Sequence, residues 1–336
     1  MAENHVDRRG FIKRSVAASA GVALGMRSFE EQNLLAQTSG GGKPAEGKAP
    51  AGNSKMAYGQ IKNLKVSRVF CGGNLIGGWA HSRDLMYVSD LVKAYHTDDK
   101  IFQTFELAEE MGINTVLTNP VSDRVINRYW NERGGKIQWI SDCASGSLKE
   151  GIKRSVDNGA HAVYVQGGLA DQAARDGKIA AIGEALDYIK EFKVPGGIGA
   201  HELETVKACV KAGFKPDFWV KTLHPDNYWS ATPAENRKVF DVVGPSTDEH
   251  GGYHDNMYCR NPQETIEYMK GLKEPWIAFK VLAAGAIGPE AGFRFALEGG
   301  ADFLCIGMFD FQVRENAIIA QNIFAGEVKR SRPWCA

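Results

Sequence analysis

A surplus of charge of either sign is missing from this chain. Its 336 residues hold 40 Lys and Arg against 40 Asp and Glu. A surface that tracks phosphates needs a basic excess, so nucleic acid is excluded as the main partner. Paired cysteines are missing too. The six, at positions 71, 143, 209, 259, 305 and 335, show no short paired spacing of the zinc-ribbon kind. Cys71 and Cys305 fall inside predicted strands and read as small buried hydrophobes. A membrane-spanning run is also lacking: Ser15 to Met26 is too short and too rich in Ala and Gly. What the chain does have is glycine, 38 residues, and a hydrophobic fraction of 43%. That is enough for a full core with many strand-to-helix turns. The length points to one large α/β domain with additions.

The N-terminus reads Asp7-Arg8-Arg9-Gly10-Phe11-Ile12-Lys13, followed by the weakly apolar run Ser15 to Met26. This resembles a bacterial twin-arginine export signal. The resemblance implies that residues 1–36 are a signal peptide. It also implies a periplasmic or extracytoplasmic location, with no stable membrane insertion after cleavage. Residues 37–58, rich in Gly, Lys, Pro, Ala and Ser, are expected to be a flexible linker. The domain proper is expected over residues 59–330. That export route carries folded proteins, which raises the expectation of a metal inserted beforehand.

Short apolar runs alternate with amphipathic stretches through the rest of the chain. The strand-like runs are Val66–Cys71, Ile113–Leu117, Ile137–Ile140, Ala162–Val165, one from Gly196, one ending at His224, Trp276–Leu282 and Phe303–Ile306. Gln172 to Phe192 reads as one long helix. Gly112, Gly159, Gly213 and Gly300 each stand where a helix must stop before the next strand. Eight strand-then-helix units predict a (β/α)8 TIM barrel rather than an open doubly wound sheet. Long loops follow strands one (Trp79 to Thr97) and six (Pro225 to Asn261).

Barrel active sites lie at the carboxyl ends of the strands. Those positions hold Asn74, Asn119, Asp142, Gln166, His201 with Glu202, His224, Lys280 and Asp310. Two adjacent strand ends stop at histidine. His201 and His224 with Asp142 or Glu202 make the usual ligand set of a catalytic divalent metal. Without a metal, the imidazoles become general acid and base. Lys280 and Lys221 sit in apolar strands, where a desolvated amine can act as a base or form a Schiff base. His254, in the second long loop, is a further proton-moving candidate. Trp79, Tyr228 and Trp229, mixed with Asn74, Asn119 and Gln166, suit the binding of a sugar ring. The expected activity is metal-assisted proton abstraction beside a carbonyl of a small sugar-derived substrate, giving isomerisation or elimination.

Two segments carry a family resemblance. Leu64-Lys-Val-Ser-Arg-Val with Gly72-Gly73-Asn74-Leu75, and Ile306-Gly-Met308 with Val313-Arg-Glu315-Asn316, resemble the first and last strands of the aldo-keto reductases. The resemblance implies the same barrel and NADP-dependent carbonyl reduction. That chemistry needs an Asp after strand two, a Tyr in the loop beyond, a Lys on strand three and a His ending strand four. Here those places hold Thr118 or Asn119, no Tyr before Tyr129, then Asp142 and Gln166. The likeness therefore supports the fold and argues against NADP. An NADP-binding oxidoreductase and a non-catalytic carbohydrate-binding barrel remain the alternatives.

Overall fold

The structure, a computed structural model, describes residues 55–79, 86–240 and 258–336. The chain enters through an antiparallel hairpin, β1 (Tyr58–Ile61) and β2 (Leu64–Ser67). Eight parallel strands then close into a barrel: β3 (Val69–Gly72), β4 (Thr115–Thr118), β5 (Gln138–Ser141), β6 (Ala162–Val165), β7 (Gly196–Ala200), β8 (Phe218–Thr222), β9 (Trp276–Phe279) and β10 (Phe303–Gly307). The seam pairs Leu304 with Val69 and Gly307 with Gly72. This is the predicted (β/α)8 barrel.

Alternation along each strand sorts the side chains into two cores. Phe70, Leu117, Ile140, Ala162, Tyr164, Phe218, Val220, Ile277 and Phe303 fill the lumen. Their neighbours, among them Val69, Val116, Trp139, Val163, Trp219, Trp276 and Leu304, face the helical layer. That layer comprises α1 (Met86–Tyr95), α2 (Asp98–Glu110), α3 (Asp123–Arg133), α4 (Leu148–Asp157), α5 (Gly167–Arg175), α6 (Ala180–Glu191), α7 (Leu203–Lys211), α8 (Pro262–Lys270), α9 (Pro289–Glu298) and α10 (Asp310–Ala325).

The hairpin seals the amino-terminal end of the lumen, since Ile61 and Val66 are buried in the same cluster as the lumen side chains. The C-terminal tail locks that end. Asp302, fully buried, accepts from the N–H groups of Trp276 and Cys335 and pairs with Arg330 and Arg332. The Trp334 ring meets two guanidinium groups, 4.0 Å from Arg68 and 3.5 Å from Arg330. The described tail, Arg330 to Ala336, therefore packs on the barrel.

Three local expectations change. The single helix from Gln172 to Phe192 is two helices, α5 and α6, parted at Gly177, whose φ is +69°. The first long loop contains α1. The strand expected to reach Leu282 stops at Phe279, because Lys280 turns into the left-handed region at φ +58°. The four glycine stops do hold: Gly112, Gly159, Gly213 and Gly300 have φ of +83°, +89°, +79° and +102°.

Gly213 isolates the backbone effect, because nothing lies within 4 Å of where a Cβ would be. Gly213→Ala is expected to lose about 1–2 kcal/mol from left-handed strain alone, read as a lower urea midpoint with an unchanged m-value. An unchanged midpoint would remove this account of the helix stops.

Candidate active site

A cavity of about 580 Å³ opens at the carboxyl ends of the strands. How one histidine comes to its wall begins with a glycine. At Gly199 on β7 a Cβ would stand 2.7 Å from Gly167 N and 2.8 Å from Val165 O. The missing side chain lets α5 start directly against the strand. Asp171 then lies behind the end of β7, fully buried. Its Oδ2 accepts from His201 N at 2.9 Å and meets His201 Nδ1 at 2.8 Å. Its Oδ1 accepts from Thr205 Oγ1 at 2.6 Å and Glu202 N at 3.3 Å. A carboxylate only accepts, so Nδ1 carries the imidazole proton and Nε2 is the basic nitrogen. Burial holds the His201 pKa below its ordinary value, opposed by Asp171 and aided by the nearby Lys280 and Lys221 ammonium groups. The ring is neutral and oriented.

Asp142, at the end of β5, is the acidic side chain in the cavity wall among the described residues. Its Oδ1 accepts from Asn119 Nδ2 and from Ala144 N, both at 3.0 Å. Burial nevertheless pushes its pKa up to about 6, against those two hydrogen bonds. Asn119 is committed: it also donates to Ala144 O and accepts from Val121 N, each at 3.0 Å. Gln166 caps α5 through Oε1, which accepts from Leu169 N at 2.9 Å. Tyr164 rises from the lumen into the same wall, and burial keeps its phenol protonated. Cys305 lines the floor, but burial pushes its thiol up to about 12, which leaves it inert.

Lys280 enters the wall just past β9. Its left-handed backbone is followed by two more such residues, Ala283 (φ +44°) and Ala284 (φ +53°). Left-handed non-glycine residues cost about 1–3 kcal/mol each and cluster at functional sites. The Lys280 ammonium lies 4.0 Å from the centroid of the Tyr258 ring. His201 meets the same ring at 5.7 Å between centroids and Phe279 at 5.3 Å. Asn74 and Trp79 complete the part of the wall that the sequence pointed to.

Other expected site residues lie elsewhere. His224 is fully buried: Nδ1 donates to Pro225 O at 2.8 Å, and Nε2 accepts from Tyr258 N and Cys259 N at 3.1 and 2.9 Å. With both nitrogens engaged it has no lone pair for a metal. Glu202 is likewise occupied, by Phe240 N at 2.8 Å and Arg260 Nε at 3.2 Å. Among the described residues no three His, Cys, Asp or Glu side chains converge as a metal cage. The donors expected to hold a divalent ion therefore do not fit one, because His224 and Glu202 serve the loop. Lys221 is odd-numbered on β8 and turns away from the lumen. Its ammonium is buried against Thr222, 2.8 Å from Oγ1 and 3.0 Å from the carbonyl, and has no place in the cavity wall. Tyr228 packs on the edge of the His224 ring and Trp229 is exposed; neither borders the cavity. His254 falls outside the described residues. Tyr129 sits in the helical layer, donating to Glu109 Oε2 at 2.9 Å.

Sequence reasoning missed Asp171 and Tyr164, and reached Tyr258 only as one of several aromatics in the second long loop that suit a sugar ring. Tyr164 had a usable signal, since strict alternation from Ala162 puts it in the lumen. Asp171 had none, because its partners are distant in the chain.

No family model matches this chain, and no curated protein does. Solved structures do. A chain from Pseudomonas aeruginosa named as an aldo-keto reductase matches with 15% identity and a TM-score of 0.51, over 79% of this chain and 93% of its own. A second P. aeruginosa structure under that name matches with 14% identity and a TM-score of 0.52, over 79% and 95%. Gox0644 in its apo form matches with 11% identity and a TM-score of 0.51, over 83% and 97%. At such identities what is shared is the fold: this chain has the architecture of the aldo-keto reductase barrels.

Proposed function

We propose that this protein is an exported barrel enzyme that moves a proton beside the carbonyl of a small polar, sugar-derived substrate, without a metal. The His201–Asp171 pair at the cavity wall carries this reading. A neutral imidazole whose Nδ1–H is held by a buried carboxylate is built to take a proton on Nε2. The Lys280 ammonium, against the same tyrosine ring, stabilises the negative oxygen that forms as the C–H proton leaves. Asp142, with its pKa near 6, returns a proton to the neighbouring atom. Delivery to the former carbonyl carbon, with the neighbouring hydroxyl proton passing to the former carbonyl oxygen, gives an isomer; delivery to a departing oxygen gives elimination. Arg8-Arg9 and the residues after it support export.

The second reading is an NADP-dependent oxidoreductase, and the named barrels of the same architecture favour it. The strand ends weigh against that family's proton-donating set. Asn119 is consumed by Asp142 and Ala144, Tyr129 faces the helical layer, and Asp142 and Gln166 stand where Lys and His are needed. If a nicotinamide binds, it supplies a hydride, and the proton must then come from Tyr164, Asp142 or His201.

The deciding experiment follows C–H signals of dihydroxyacetone, xylulose and a 2-keto sugar acid in D2O by NMR. The wild-type chain should wash out a C–H signal beside the carbonyl, and His201→Asn should slow this roughly 100- to 10,000-fold. A fluorescence titration with NADPH runs beside it. Micromolar NADPH binding with carbonyl reduction, and no wash-out above the buffer rate, would replace the first reading with the second.

The pH dependence is a separate test. Asp142 donates only while protonated, so activity should fall as pH rises through about 6. His201 accepts only while neutral, so activity should also fall on the acid side, below the ordinary histidine range. In Asp142→Asn the alkaline limb near 6 should vanish. Its persistence would assign that limb to another group.

A further inference from the structure

The chain makes a long excursion between β8 and α8, and its return passes directly beside the reactive side chains. Tyr258, on that return, lines the cavity and carries the Lys280 ammonium 4.0 Å from its ring centroid while meeting His201 at 5.7 Å. Its backbone is held from behind at both ends. The N–H groups of Tyr258 and Cys259 donate to His224 Nε2 at 3.1 and 2.9 Å. The Tyr258 carbonyl lies 3.0 Å from Thr222 Oγ1, and the His201 carbonyl lies 3.0 Å from that same hydroxyl. Lys221 donates to it at 2.8 Å. With the ammonium donating inward, the hydroxyl hydrogen is left to the two carbonyls.

His224 also donates through Nδ1 to the carbonyl of Pro225, the first residue of the excursion. One imidazole thus ties departure and return to the same strand end. Neutral imidazole suits this because its two nitrogens, one donor and one acceptor, lie on different ring edges. Burial keeps it neutral by pushing its pKa down to about 4. A glutamine side chain offers an amide donor and a carbonyl acceptor; leucine offers neither. Left-handed backbone at a non-glycine residue persists only where contacts hold it, and the Tyr258 ring is such a contact for Lys280.

We propose that Tyr258 fixes the Lys280 ammonium beside His201, and that His224 and Thr222 are positioning residues forming the clasp that seats Tyr258. The proposal rests on His201 and Lys280 acting as the reactive pair. It gives the buried histidine and Lys221 a task in the site without placing either in contact with substrate. Cation–π attraction needs the ammonium over the ring face, not a phenol oxygen, so phenylalanine at 258 should serve.

The test uses the full chain with 13Cε-labelled lysine, the Lys280 signal being assigned by its absence in Lys280→Arg. Protons over a ring face are shifted upfield. That shift should be lost in Tyr258→Leu and His224→Leu and kept in Tyr258→Phe and His224→Gln, with circular dichroism confirming folding. The C–H wash-out rate should fall at least tenfold in Tyr258→Leu and recover in Tyr258→Phe. The clasp is overturned if His224→Leu keeps the shift or if His224→Gln loses it as fully as His224→Leu. If His224→Leu fails to fold, the other three variants decide: the shift surviving Tyr258→Leu, or lost in Tyr258→Phe or His224→Gln, ends the proposal. Wash-out in the wild-type chain separates the two ideas. Wash-out absent even in wild type, with the shift pattern intact across the clasp variants, would sink proton transfer and leave the clasp standing.

Discussion

The carboxylate of Asp171 has no contact with solvent and takes four hydrogen bonds, and the cavity's chemistry follows from how it is satisfied. An unpaired ion there would be very costly. Two of its donors are consecutive backbone N–H groups leading into α7, where the helix dipole also favours a negative charge. The third is the Thr205 hydroxyl, and the fourth is the ring of His201. Three donors come with the backbone path and its first helical turn, so the carboxylate is in place whatever the imidazole does. The imidazole is then drawn to a fixed acceptor, which sets its tautomer and its plane. That geometry depends on β7 and α5 approaching closely, and so on the absence of a side chain at Gly199.

Stability and chemistry occupy opposite ends of the barrel. At the amino-terminal end, Asp302 is matched by two guanidinium groups and two backbone N–H groups, and Trp334 meets two cations. Every charge there has a partner. At the carboxyl end, Asp142 is buried with two neutral donors. Burial with only partial satisfaction is what pushes its pKa up toward neutrality. Rigid closure at one end permits strained backbone at 280, 283 and 284 at the other.

The barrel was legible because its signals are local. A glycine that stops a helix needs only its own φ, and strand alternation needs only neighbours two residues apart. The same logic placed Asn74, Asn119, Asp142, Gln166 and His201 at the cavity wall, since a strand end is a position in the chain. It failed wherever partners are distant. Asp171 and His201 are 30 residues apart, and Tyr258 reaches His224 from 34 residues away. Nothing in a stretch of Ala and Gln around position 171 announces its contact with His201. The strand through Lys280 was drawn too long because no glycine marks its left-handed turn. The helix break at Gly177 was hidden because apolar residues recur on both sides of it.

His201 and His224 show why residue type alone misled. Each follows a parallel strand within two residues, and each feels a nearby lysine ammonium. Their Nδ1 atoms both find an oxygen acceptor. They differ in what approaches Nε2. For His224 it is two backbone N–H groups, which consume the lone pair, so the ring behaves as a piece of main-chain scaffolding. For His201 it is the cavity. A metal shared between the two would require His224 to give up both donors, leaving two N–H groups buried without acceptors. The cost of those orphaned groups falls on the segment that carries Tyr258. The loop therefore holds one imidazole in structure, and the other is left free for chemistry.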